Sequence, residues 1–194
     1  IIRPRGGDFL YSELEHKIML KDIEMCRQLG VDGVVIGCLT PDGDVDMIRN
    51  RELIDAAKGM SVTFHRAFDM CRNPLESLEK IIELGCDRIL TSGQQPKAEQ
   101  GIDLLKQLVT IADKRIIIMP GSGINENNIA YIAHETGATE FHLSARSAIP
   151  SQMQYRNPNV SMGGKGIEIN EYEQNTTNAV KVNKTLENLN NQLI

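Results

Sequence analysis

A histidine, an arginine and a carboxylate close the run Val62-Thr63-Phe64-His65-Arg66-Ala67-Phe68-Asp69, groups able to move a proton and hold an anion at the end of an apolar stretch. Read with the two-residue period of a strand, Val62, Phe64 and Phe68 share one face, and Thr63, His65, Ala67 and Asp69 share the other. If helices cover the greasy face, the second face points into whatever the sheet encloses, where His and Asp are poorly explained by packing alone. The same alternation sets Phe141 and Leu143 against His142, Ser144 and Arg146, and puts Arg3 and Arg5 on one face of Ile1 to Arg5. His65, Asp69 and His142 are therefore the candidate catalytic residues, with Arg3, Arg5, Arg66, Ser92 and Ser144 as candidates for holding a substrate. Two histidines and two arginines in a dry mouth would attract a small anionic ligand and run acid and base steps near neutral pH. The plainer alternative makes each one a buried layer residue paired to a carboxylate such as Asp8 or Asp69.

Pro120-Gly121-Ser122-Gly123, followed by Asn125, offers backbone N–H groups before a helix, where phosphate or carboxylate is favoured. Gly121, Ser122 and Gly123 are the candidate phosphate-binding residues; the alternative is a tight turn that holds nothing. Cys38 and Cys71 sit just after strands, with Met70 beside Cys71, and soft sulfur ligands suit Cu(I). Buried cysteine is more often a small apolar filler, and Cys26 and Cys86 lie away from the strand ends.

The elements that position these groups repeat. Leu29-Gly30, Lys58-Gly59, Leu84-Gly85 and Thr136-Gly137 each close an amphipathic stretch and precede an apolar run, at intervals of 29, 26 and 52 residues. Such a pace belongs to parallel βα units. Strands are expected at Ile1 to Arg5, Gly33 to Gly37, Val62 to Asp69, Arg88 to Thr91, Arg115 to Met119 and Glu140 to Ser144. Ser12 with Glu15, and Asn73-Pro74 with Glu76, mark helix starts, and Ile18, Ile23 and Ile48 are expected to be buried. An irregular loop over 146–168 and a C-terminal helix over 170–191 complete the chain. Polar groups end five different strands, which favours a closed barrel over an open sheet with one switch point. The expected fold is an α/β TIM (βα)8 barrel, one domain over 1–194, with six of its βα units present and two preceding Ile1.

With 194 residues, 24% of them charged and a net charge of −5, the chain gives no electrostatic reason to expect nucleic acid or an acidic membrane surface. Its longest apolar run, Ile116 to Met119, is far too short to cross a bilayer, and no signal-peptide pattern opens it. Four cysteines without paired spacing point to reduced thiols. Open strand edges add the expectation of a homo-oligomer.

The segments Ile2-Arg3-Pro4-Arg5-Gly6-Gly7-Asp8-Phe9, Val62 to Asp69, Arg88-Ile89-Leu90-Thr91-Ser92-Gly93 and Tyr155-Arg156-Asn157 resemble the CutC family, named for copper homeostasis. The resemblance runs from Ile1 to about Met162. It implies an eight-stranded TIM barrel, a cytoplasmic protein and copper, as Cu(I), for its ligand. The cysteines proposed as Cu(I) ligands in the family lie on two earlier strands and correspond to no residue here, which leaves Cys38 and Cys71 as the metal candidates. Two readings stay open: a Cu(I)-binding homeostasis protein, or a barrel enzyme working on a small anionic or phosphorylated substrate by His and Asp acid–base chemistry.

Overall fold

A computed structural model describes residues 1–163 and 169–191. Four short parallel strands form the central sheet in sequence order: β1 (Gly33–Ile36), β2 (Ser61–Phe64), β3 (Arg88–Thr91) and β4 (Ile117–Pro120). Their registers run Val34 beside Val62, Phe64 beside Ile89 and Leu90 beside Met119. One further segment flanks each side. The amide of Ile2 donates to the Val35 carbonyl, and His142 donates to the Pro120 carbonyl, both at 2.9 Å. Six neighbouring segments in sequence order, each leading to a helix, are the architecture of a partial TIM barrel.

The helices are α1 (Glu13–Gln28), α2 (Met47–Ala56), α3 (Pro74–Leu84), α4 (Ile102–Ala112), α5 (Ile129–Thr136) and α6 (Ala179–Asn190). Local chemistry sets their ends. Ser12 and Glu15 form a reciprocal capping box on α1, and Asn73 caps α3 with Pro74 in its first turn. Gly85 and Gly137 end α3 and α5 in the left-handed conformation that a side chain resists. The core lies between sheet and helices. Val34, Ile36, Phe64, Ile89 and Ile118 meet Met19 and Ile23 of α1, Leu53 of α2, Leu78 and Ile81 of α3, and Leu105 and Leu108 of α4. Each such side chain contributes roughly 1.5–3 kcal/mol on full burial.

Several sequence expectations are corrected. The strand expected over Val62 to Asp69 stops at Phe64, and Arg66–Met70 turn into a 3-10 helix whose first donor, the Ala67 amide, is accepted by His65 Nδ1. Alternation therefore ends there, and both Ala67 and Phe68 are buried. Ile1 to Arg5 and Glu140 to Ser144 are flanking segments rather than strands. On α1 the buried face is His16, Met19 and Ile23, whereas Ile18 and Ile48 are exposed. The stretch expected to be an irregular loop over 146–168 begins with β5 (Arg146–Pro150), paired antiparallel to β6 (Glu173–Thr177). Residues 164–168 of that stretch lie outside the described residues. The final helix starts at Ala179 rather than at 170, because β6 takes Glu173 to Thr177 and Asn178 then caps Val180 and Lys181. No helix among the described residues is long and apolar enough to cross a membrane.

Candidate active site at the strand ends

His65 follows β2 and is 3% exposed. Gly37, across on the neighbouring strand end, makes room for it: a Cβ there would stand 2.7 Å from ring atoms Cε1 and Nδ1 of His65. Phe9 packs on the imidazole with ring centroids 5.0 Å apart, and the Arg3 guanidinium lies 4.6 Å over the Phe9 ring. Burial, reinforced by the nearby charge of Arg3, lowers the His65 pKa to about 4. The imidazole is thus neutral at pH 7. Because Nδ1 accepts the Ala67 amide at 3.1 Å, the ring proton sits on Nε2, and that buried nitrogen has no hydrogen-bond partner among the described residues. In this tautomer His65 donates a hydrogen bond to an acceptor and does not offer Nε2 as a base.

Asp69 is the opposite case. Its carboxylate accepts from Arg66 Nε at 2.6 Å, Thr91 Oγ1 at 2.5 Å, and the amides of Ser92 at 3.0 Å and Gln94 at 3.1 Å. With its side chain 7% exposed and its oxygens surrounded by donors, it ties the β2 and β3 strand ends together. The Ser92 hydroxyl lies among Asp69, the Gln95 carbonyl and Arg66 Nη2, with nothing left for a ligand. Arg5 is equally occupied, by Glu15, Asp8 and the carbonyls of Gly6 and Leu10. Arg3 donates to the Gly7 carbonyl at 2.7 Å.

Beyond β4 the Ser122 hydroxyl donates to the Pro96 carbonyl at 2.8 Å, while other polar groups have no partner among the described residues. A cavity of about 280 Å³ is lined by Arg66, Leu90, Ser122, Gly123, Ile124, His142, Leu143 and Ser144. Gly121 is a spacer, since a Cβ there would lie 2.5 Å from Leu90 Cδ1 and 3.3 Å from His142 Cβ, and its own amide is used by the Thr91 carbonyl. The amides of Gly123 and Ile124 make no hydrogen bond among the described residues. Ser122 and Gly123 both have positive φ, 79° and 78°. Asn128 holds the turn in place by donating to the Gly123 carbonyl at 3.0 Å and accepting the Asn125 amide at 2.9 Å. Arg66, anchored by Asp69, brings a positive charge to the lining of this cavity.

Sequence reasoning found Arg66, Ser122, Gly123, His142 and Ser144, which the structure brings to one cavity, while the buried His65 and the exposed Arg3 lie apart from it, on either side of Phe9. It missed Ile124, whose side chain gives no hint that its amide is free. Cys38 and Cys71 fit copper poorly. Burial pushes the Cys38 thiol up to about 12 and raises that of Cys71, so neither is readily the thiolate that Cu(I) takes. No group of three or more His, Cys, Asp or Glu side chains suited to a metal exists among the described residues.

Fold and strand ends together define a partial TIM barrel with a partly polar cavity at the mouth. The chain belongs to the CutC family, whose model matches residues 1–147. It is 62% identical to a family protein CutC of Bacteroides thetaiotaomicron, over 96% of this chain and 75% of the relative. Its identity to a family protein CutC of Bacteroides fragilis is 60%, over 100% of this chain and 76% of the relative. Among solved structures it is similar to one described as a copper homeostasis protein CutC, from Streptococcus agalactiae. That likeness has 37% identity and a TM-score of 0.70, and covers 73% of this chain and 69% of the other.

Proposed function

We propose that this barrel binds a small anionic, phosphate-bearing substrate at its mouth and acts on it as an enzyme. The observation that carries this reading is the cavity of about 280 Å³ lined by Arg66, His142, Ser144, Gly123 and Ile124, the last two with amides that meet no acceptor among the described residues. Phosphate would sit on those amides opposite the Arg66 guanidinium. His65, neutral with its proton on Nε2, would stabilise negative charge on a reacting oxygen, and His142 would carry the proton transfer. Asp69 serves as the organiser that aims Arg66, rather than as the acid or base. Four free cysteines fit a reducing cytoplasm, where we place the protein.

Titration with inorganic phosphate, followed at the backbone amides of Gly123 and Ile124 by NMR, tests the site. Saturable shifts at these two amides that disappear in Arg66→Met are expected; absence of any shift at millimolar phosphate refutes the reading. Turnover is then sought among small phosphomonoesters, with His65→Gln expected to remove it while leaving the fold intact.

Family membership favours a second reading, a part in copper homeostasis through Cu(I) binding. The buried, protonated thiols of Cys38 and Cys71 weigh against these residues as its ligands. An anaerobic Cu(I) competition titration decides: tight binding abolished by Cys38→Ser or Cys71→Ser would restore copper as the ligand of this chain.

A further inference from the structure

Among the described residues, five other than glycine have positive φ: Gln94, Asp113, Lys114, Ser122 and Ala145. Asp113 and Lys114 lie between α4 and β4, at the opposite end of the sheet from the cavity. The other three follow successive strand ends, Gln94 after β3, Ser122 after β4 and Ala145 after the segment Glu140 to Ser144. Left-handed backbone costs free energy in any residue with a Cβ, and it gathers where function fixes the chain.

Gln94 and Ser122 have local compensation. The Gln94 amide is accepted by Asp69 at 3.1 Å, and the Ser122 hydroxyl by the Pro96 carbonyl. Ala145, with φ of 45°, has no polar side chain to offset the cost, so its conformation is imposed from outside. The Asn178 amide donates to the Ala145 carbonyl at 2.9 Å, Thr177 Oγ1 to the Ser144 carbonyl at 3.3 Å, and Lys181 Nζ to the Arg146 carbonyl at 2.9 Å. Three successive carbonyls are thus held by the end of β6 and the first turn of α6. Arg146 also pairs with Thr177 as the first rung of the β5–β6 hairpin. The base of that hairpin reaches the rim of the cavity, because Ser144 lines it. Although the Ser144 carbonyl is engaged, its hydroxyl has no partner among the described residues.

We propose that Ala145 is a positioning residue whose left-handed backbone, clamped by Thr177 and Asn178, aims the Ser144 hydroxyl at a phosphate oxygen of the ligand. This deepens the anion-site reading and rests on it. Ser144 adds a directed donor to the amides of Gly123 and Ile124 and to Arg66, and the hairpin base becomes part of the binding site. A hydroxyl donating to a charged acceptor makes one of the stronger hydrogen bonds, and holding it in place beforehand spares the ligand the cost of ordering it.

The test titrates inorganic phosphate into wild type, Ser144→Ala, Ala145→Gly and the double variant, followed by NMR at the Gly123 and Ile124 amides, with urea midpoints measured on the same four proteins. Glycine adopts positive φ freely, so Ala145→Gly should keep or raise the midpoint. Phosphate affinity should nevertheless fall, about threefold in Ala145→Gly and about tenfold in Ser144→Ala. The double variant should lose no more than Ser144→Ala alone, because Ala145 acts through Ser144. A purely structural role would move the midpoint and leave the affinity in place. Unchanged affinity in Ala145→Gly, or losses that multiply in the double variant, overturns the proposal. Wild-type binding that Ser144→Ala leaves untouched would sink this proposal alone; no wild-type response to phosphate would sink the anion-cavity reading and this proposal with it.

Discussion

Asp69 and Gly123 stand on either side of β3, one after β2 and the other after β4, and the two strand ends treat polar groups in opposite ways. Around Asp69 every oxygen is met by donors from Arg66, Thr91, Ser92 and Gln94. Around Gly123 two residues that line a cavity, Gly123 and Ile124, have amides with no protein partner among the described residues. A saturated carboxylate stabilises and aims its neighbours; an unsatisfied amide is free for a ligand. Both residues looked functional from their types, and only the count of their bonds separates organiser from binder.

The contrast is broken most strongly at Asp69. Asp69→Ala removes the acceptor of Arg66 Nε, the Thr91 hydroxyl and the amides of Ser92 and Gln94, and should lower unfolding free energy by about 3 kcal/mol or more, read by urea denaturation. A loss below about 1 kcal/mol would mean that the hub is not what joins these strand ends.

His65 provides the next largest effect, through pH. The unfolded imidazole takes its proton below about 6.5, whereas the folded one holds out until about 4, so the unfolded state binds more protons between these values. Stability is therefore full above pH 6.5 and falls as pH drops toward 4, by roughly 3 kcal/mol from this group. Urea midpoints across that range should slope less in His65→Gln than in the wild type. Parallel slopes would place His65 in water and undo its role as a neutral donor.

Gly123→Ala sharpens the comparison at the other strand end. Its φ of 78° strains any side chain, and the new Cβ would meet the Lys97 stem at 3.2 Å. The expected cost is about 1 kcal/mol of stability. Phosphate affinity should fall about tenfold through the tilted amide, about 1.4 kcal/mol. Unchanged affinity would remove this turn from the site.

The smallest effect is expected at the thiols. Cys38 and Cys86 are buried, and burial pushes both up to about 12, so iodoacetamide at pH 8 should modify neither until the chain unfolds. Mass spectrometry of the native protein reads this directly, and rapid modification of Cys38 would reopen it as a metal ligand.

Much of this molecule was legible along the chain because the signals were local. Ser12 with Glu15 and Asn73 with Pro74 specify helix starts through bonds spanning three residues, and the glycines at 85 and 137 end helices by backbone conformation alone. The turn after β4 could be read for the same reason. Alternation failed past Phe64, since nothing in Arg66-Ala67-Phe68 says that His65 will cap a 3-10 turn and reverse the faces. Ile18 and Ile48 were misplaced because a helix with apolar residues on several sides buries only the face its neighbours reach.

By itself the sequence determined the βα rhythm, the family and the residue types gathered at the strand ends, all of which depend on chemistry within a few residues. Tertiary structure decided which of those groups were used up. Arg5, Asp69 and Ser92 found partners as far as 26 residues away, and His65 Nε2 and the Gly123 amide did not. Hydrogen-bond saturation depends on what packs across the barrel mouth, and no local pattern encodes it.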